Sequence, residues 1–171
     1  MIKPLLHVDQ LEISCQERGK MSPVVQDVSF QLFQGEMVAL TGPSGCGKSV
    51  TAHAMVGMLE PNWKITNGNI CYDGQYIQNY QEKDWQKIRQ ESIALLIQHS
   101  LNGLNPIRTV KKQMIETLRQ KKKWKKSEIN QYLCSLLEQV GFSDPYHILS
   151  AYPFELSGGM RQRILLAMMI S

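Results

Sequence analysis

Two stretches near the start, Leu5 to Ile13 and Val24 to Phe33, read as strands, the second with Val25, Val28, Phe30 and Leu32 in imperfect alternation before a turn at Gln34-Gly35. The chain therefore opens on an antiparallel β-rich segment. Met37 to Leu40 has a different pattern: it is short, almost wholly apolar, and runs directly into Gly42-Pro43-Ser44-Gly45. Such a run predicts a strand buried on both faces of a parallel sheet. A helix is predicted from near Lys48 to about Leu59, ending before Pro61. Asn67-Gly68 and Asp73-Gly74 bracket Asn69 to Tyr72 as a short strand between turns. Asp84 to Arg89 predicts a turn or two of helix, and Ile93 to Ile97 a second buried strand.

From Thr109 the apolar spacing becomes helical, through Val110, Met114, Ile115 and Leu118. After a lysine run, Ser127 is placed to cap a second helix carrying Ile129, Leu133, Leu136, Leu137 and Val140, ended by Gly141. A third helix is predicted from Ser157, with Ile164, Leu165, Ala167 and Met168. The whole reads as an α/β fold: a core over residues 1–108, a helical subdomain over 109–157 and a last helix over 158–171.

Composition narrows the function. No apolar run reaches the 18 or more residues of a membrane span, and Met1 to Pro4 lacks the features of a secretory signal. The chain is expected to be cytoplasmic. Its formal charge of +4 is local, because five lysines between Lys121 and Lys126 leave 14 basic against 15 acidic residues elsewhere. One aromatic, Trp124, stands among them with no arginine, so no nucleic-acid partner is expected. Cys15, Cys46, Cys71 and Cys134 form no C-x-x-C pair and share no ligand spacing with the histidines, which argues against a zinc site or disulfide framework.

Gly42-Pro43-Ser44-Gly45-Cys46-Gly47-Lys48-Ser49 matches G-x-x-x-x-G-K-[ST], between an apolar run and a helix, with Val50 next. Glycines let successive N–H groups turn inward as an anion nest, and the helix N-terminus adds partial positive charge. In this pattern Lys48 reaches β- and γ-phosphates and the Ser49 hydroxyl ligates Mg²⁺. Cys46, inside the nest, is expected to react fastest of the four cysteines and to be shielded by bound nucleotide. A second glycine-rich helix start, Leu156-Ser157-Gly158-Gly159-Met160 followed by Arg161 and Arg163, has the makings of another anion site.

Together these motifs resemble the ATP-binding subunits of ABC transporters, with Met160 where glutamine is commoner in the signature. The resemblance covers essentially the whole chain and implies a P-loop nucleotide-binding core with ATP and Mg²⁺ as cofactors. It implies a cofactor role for Gln98, which stands where the family's glutamine touches Mg²⁺ and the attacking water. Leu104-Asn105-Pro106 and Tyr152-Pro153-Phe154-Glu155 resemble the branch importing peptides or nickel, although His99-Ser100 departs from its pattern. Leu11 to Cys15 lacks the aromatic on which the family commonly stacks adenine.

The resemblance implies a second ATP-binding subunit, identical or not, transmembrane permease subunits, and indirectly an extracytoplasmic solute-binding protein. It places the chain on the inner face of the cell membrane. The family's apolar strand ending in Asp-Glu is found nowhere in these residues, so the chain as given is expected to be catalytically incompetent, with Met37 to Leu40 exposed. Two alternatives stand beside this: a soluble ABC ATPase of DNA repair or translation, or a non-catalytic nucleotide-binding fragment.

Overall fold

A computed structural model describes residues 3–96, 103–121 and 125–171. The chain divides into two compact units, Met1–Leu95 and Leu96–Ser171.

The first unit is built on an antiparallel sheet of four strands in the order β2-β1-β3-β4. β1 (Leu6–Glu17) pairs along its length with β2 (Lys20–Leu32) on one side and β3 (Trp63–Tyr72) on the other, and β4 is Gln75–Tyr76. β1 and β2 therefore run further than the apolar pattern indicated, joined by a tight turn at Arg18-Gly19. Asn67-Gly68, expected as a turn, lies inside β3 at a register shift against β1. Gly68 has φ 83° there, and a Cβ at this position would collide with the backbone of Gln10.

One face of the sheet buries Leu6, Val8, Leu11, Ile13, Val25 and Ile70 together with Ala54 of α1 (Lys48–Met55) and Trp85 of α2 (Glu82–Glu91). α1 stops at Met55, a turn earlier than expected, because Gly57, at φ 64°, turns the chain where the Trp85 ring fills the space a side chain would need. Arg89 closes this junction, donating to the carbonyls of Val56 (3.2 Å) and Gly57 (3.3 Å) and pairing with Glu82.

Both expected buried strands are corrected by the structure. Met37 to Leu40 forms no strand, and Met37 is 98% exposed. Ile93 to Leu96 forms none either, and Ile97 lies outside the described residues. A strand exists through bonds to a neighbour, and among the described residues neither segment has one. Val38 and Leu40 are exposed as well.

The second unit is helical. Its core gathers Val110, Met114 and Leu118 from α3 (Val110–Lys121), Ile129, Leu133, Leu136 and Leu137 from α4 (Lys126–Gln139), and Ile164, Leu165 and Ala167 from α6 (Gly158–Met169). Ile148 and Leu149 of α5 (Pro145–Ser150) complete it. α4 is capped by Lys125, not Ser127: the Glu128 and Ile129 N–H groups donate to the Lys125 carbonyl, which puts Ser127 inside the helix. Gly141 ends this helix as expected, at φ 85°.

Candidate nucleotide-binding site

The segment from Gly42 to Ser49 leads from irregular chain into α1, and its backbone is shaped by left-handed turns. Gly45 has φ 80° and Gly47 φ 94°, conformations that a side chain makes unfavourable. Gly47 also needs its missing Cβ for space, because one built there would sit 2.8 Å from Val25 Cγ2 and 3.1 Å from the Val24 carbonyl oxygen. The end of the loop is thus seated directly on β2. Thr51 locks the first helical turn, since its N–H (2.8 Å) and its buried hydroxyl (3.1 Å) both donate to the Gly47 carbonyl.

Lys48 folds back over the loop. Its ammonium donates to the carbonyls of Gly42 (2.9 Å) and Pro43 (2.7 Å), and Cys46 Sγ lies 3.6 Å away. The first N–H groups of α1 have no acceptor within the helix and carry the positive end of its dipole. No acidic residue stands in the first turn to compete for them. Gly42 through Cys46 and Ser49 are exposed and Val50 half-buried, so the loop is open to a ligand. These donors, with a lysine across the mouth, fit a phosphate chain.

Ser49, the residue expected to ligate Mg²⁺, is exposed in the first turn of α1, and its hydroxyl is of the oxygen type that a hard cation takes. Gln98, the other expected Mg²⁺ contact, lies outside the described residues.

In the helical unit, Ser157 caps α6, its Oγ accepting from the Met160 N–H at 3.3 Å. Gly158 and Gly159 are the first two helical residues, and Gly159 has nothing within 4 Å of where a Cβ would be. The start of α6 is therefore open. The two arginines do not converge on it: Arg161 donates through Nε to the Leu156 carbonyl at 3.0 Å, and Arg163 donates to the Gly141 carbonyl at 2.9 Å with its guanidinium 4.3 Å above the Phe142 ring. They fasten α6 to its surroundings.

The supports missed in the sequence are Val24, Val25 and Thr51, because their part depends on three-dimensional packing against Gly47. Only the hydroxyl of Thr51, one turn after that glycine, gave a local hint.

A glycine-shaped loop opening a helix, with a lysine folded across it, defines a phosphate-loop nucleotide-binding protein. The family described as ABC transporter matches residues 25–171. The chain belongs to that family. It is 38% identical over 168 residues to the dipeptide transport ATP-binding protein DppD of Bacillus subtilis, covering 98% of this chain and 50% of the relative. It is 37% identical to the oligopeptide transport ATP-binding protein AppD of the same organism, covering 98% of this chain and 51% of the relative. The chain thus spans about half the length of the curated relatives it matches. Among solved structures, a dimeric ATP-binding cassette in a post-hydrolysis state bound to ADP and Pi superposes with TM-score 0.80 at 20% identity, over 96% of this chain and 68% of that one. CbiO1 from Clostridium perfringens, part of the transporter complex cbiONQ, gives 0.77 at 23% identity, over 98% and 61%. The fold is that of an ABC ATPase cassette. No helix among the described residues is long and apolar enough to cross a membrane.

Proposed function

We propose that this chain is the nucleotide-holding part of the ATP-binding subunit of a peptide importer, in which ATP binding and hydrolysis are coupled to solute uptake. The observation that carries the reading is the Gly42 to Ser49 loop seated on β2 with the Lys48 ammonium across it. In this reading the loop N–H groups hold the phosphates and Lys48 exchanges its two carbonyl partners for β- and γ-phosphate oxygens. The Ser49 hydroxyl holds Mg²⁺, which when bound neutralises charge developing on the phosphates. Gln98 joins the metal site. The cargo is supported by the roles of the relatives, dipeptide and oligopeptide transport, and nickel is the competing cargo.

The dimeric state of the solved cassette with ADP and Pi supports a paired arrangement. Two ATP-binding subunits would face each other, Ser157, Gly158 and Gly159 of one approaching the phosphates held on the loop of the other. Permease subunits in the membrane would take up the resulting motion, with the chain peripheral to its inner face and an extracytoplasmic binding protein delivering solute.

The same reading holds that these 171 residues bind ATP without turning it over. Hydrolysis calls for a carboxylate that orients the attacking water, a role this reading assigns to none of these residues.

The experiment has two arms. In the first, the chain in its natural reading frame is produced with its neighbouring permease genes, and ATP-dependent uptake of dipeptide, oligopeptide and Ni²⁺ is measured in vesicles. Uptake of a peptide that is lost with Lys48→Ala is expected; purification free of any membrane subunit and without uptake would refute the transport role. In the second, phosphate release is followed with the 171 residues alone. Steady release abolished by Lys48→Ala would show that the catalytic carboxylate is already among them.

A further inference from the structure

The two edges of β3 are covered unequally. On one side β3 pairs with β1 from Trp63 to Tyr72, whereas on the other β4 covers only Cys71 and Tyr72. The chain stretches this cover a little further: the Ile77 N–H donates to the Ile70 carbonyl at 2.9 Å, and the Ile70 N–H donates to Gln78 Oε1 at 3.2 Å, so a side-chain amide stands in for a strand. Gln78 Nε2 donates in turn to Asn69 Oδ1 at 2.8 Å. From Trp63 to Asn69 no strand among the described residues lies on that side. About 20 Å of edge is open there.

A cavity of about 540 Å³, open to solvent, follows this edge, lined by every residue of β3 from Trp63 to Asn69 and by Leu59, Gln78 and Asn79. Its chemistry suits a polypeptide. Asn67, Asn69, Gln78 and Asn79 bring side-chain amides, each both donor and acceptor, while Leu59, Trp63 and Ile65, half-buried against the sheet core, bring an apolar seat. Strand alternation puts Lys64 and Thr66, both exposed, on the opposite face. Lys64 is the one charged residue in the lining. That charge decides between occupants: two copies of this edge would set like charges on one short ladder, which is destabilising, whereas a strand carrying carboxylates is attracted.

We propose that the β3 edge from Trp63 to Asn69 is a docking site for an extended acidic segment of a partner protein, which adds to the sheet as a fifth strand. Main-chain bonds to the free edge give affinity, and alternating side chains give selectivity, apolar toward Leu59, Trp63 and Ile65 and carboxylate toward Lys64. The cavity shares no residue with the Gly42 to Ser49 loop, so the inference stands apart from the transport reading.

The test uses the full chain and three short, end-blocked, fluorescein-labelled peptides: one in which valine or threonine alternates with glutamate, one with lysine for glutamate, and one that is the acidic peptide N-methylated throughout. Fluorescence anisotropy is expected to show the acidic peptide binding best and the N-methylated one, which keeps the side chains and loses the donors, about ten-fold or more weaker. Lys64→Glu should weaken the acidic peptide by about five-fold and improve the lysine peptide. Hydrogen exchange read by mass spectrometry should slow between Lys64 and Asn69 when the acidic peptide is added. The proposal is overturned if the acidic peptide fails to bind up to about 1 mM, if N-methylation or Lys64→Glu leaves its binding unchanged, or if exchange slows elsewhere and not along this edge. Self-association of the chain that slows exchange at the same amides without peptide would give the edge to a second copy and overturn it as well.

Discussion

Gly47→Ala tests how firmly the nucleotide loop is fastened to the sheet. Two terms add. The first is conformational: at φ 94° an alanine pays the left-handed penalty of about 1–2 kcal/mol. The second is steric. The new methyl would lie 2.8 Å from Val25 Cγ2 and 3.1 Å from the Val24 carbonyl, and Val25 is 3% exposed, so it has little room to yield. Overpacking of this kind costs about 1–3 kcal/mol. The sum, about 2–5 kcal/mol, is a large share of the 5–15 kcal/mol or so that holds a typical domain.

Gly45→Ala is the control, because Gly45 has nearly the same backbone, φ 80°, and nothing within 4 Å of its missing Cβ. It should show the conformational term alone, about 1–2 kcal/mol. Urea denaturation followed by the emission of the buried Trp85 reports on this unit, and the difference between the two variants isolates the contact with β2. Equal destabilisation by the two substitutions, or none by Gly47→Ala, would refute the seating of the loop on β2.

Lys48→Ala should weaken MgATP binding by about 10- to 150-fold, the equivalent of one charged hydrogen bond of about 1.5–3 kcal/mol, and calorimetry against the parent checks it. Thermal stability without nucleotide should change little, because the two bonds Lys48 makes to the loop are exposed. Cys46 is the exposed cysteine among Cys15, Cys46, Cys71 and Cys134, so maleimide should modify it first, and saturating MgATP should slow that reaction; mass-spectrometric labelling indifferent to nucleotide would count against its place in the site. Ser157→Ala should destabilise the helical unit by about 0.5–2 kcal/mol through loss of the cap on α6, with Ser157→Gly milder, as read from thermal unfolding. Burial, reinforced by Glu17 and Glu60, pushes the Cys15 thiol up, so the folded state favours its neutral form. That contribution is complete below the ordinary thiol range and is lost as pH rises through the folded value; a Cys15→Ala chain should lose less stability than the parent on going to alkaline pH.

Legibility in the sequence followed the locality of the interactions. The loop from Gly42 to Ser49 and the capped start of α6 at Ser157 are set by neighbours within four residues, and both could be read directly. Met37 to Leu40 could not, because composition reports that a segment is apolar but not whether a partner strand lies beside it. The pairing of β1 was underestimated for a related reason: Gln10, at φ 46°, and the shifts near Ile13 break the alternation while the ladder continues past them. α5 is a different case. Its Asp144 cap, accepting from the His147 N–H, followed by Pro145 in the first turn, is a purely local signal.

The clamp at the far end of α1 gives the loop a mechanical neighbour. α1 is eight residues long, about 12 Å, with Gly47 wedged against β2 at one end and Val56 and Gly57 gripped by Arg89 at the other. A rod pinned at both ends transmits displacement instead of absorbing it. A tilt of α1 would therefore meet Arg89 and Trp85 before anything else, which ties the orientation of this helix to that of α2.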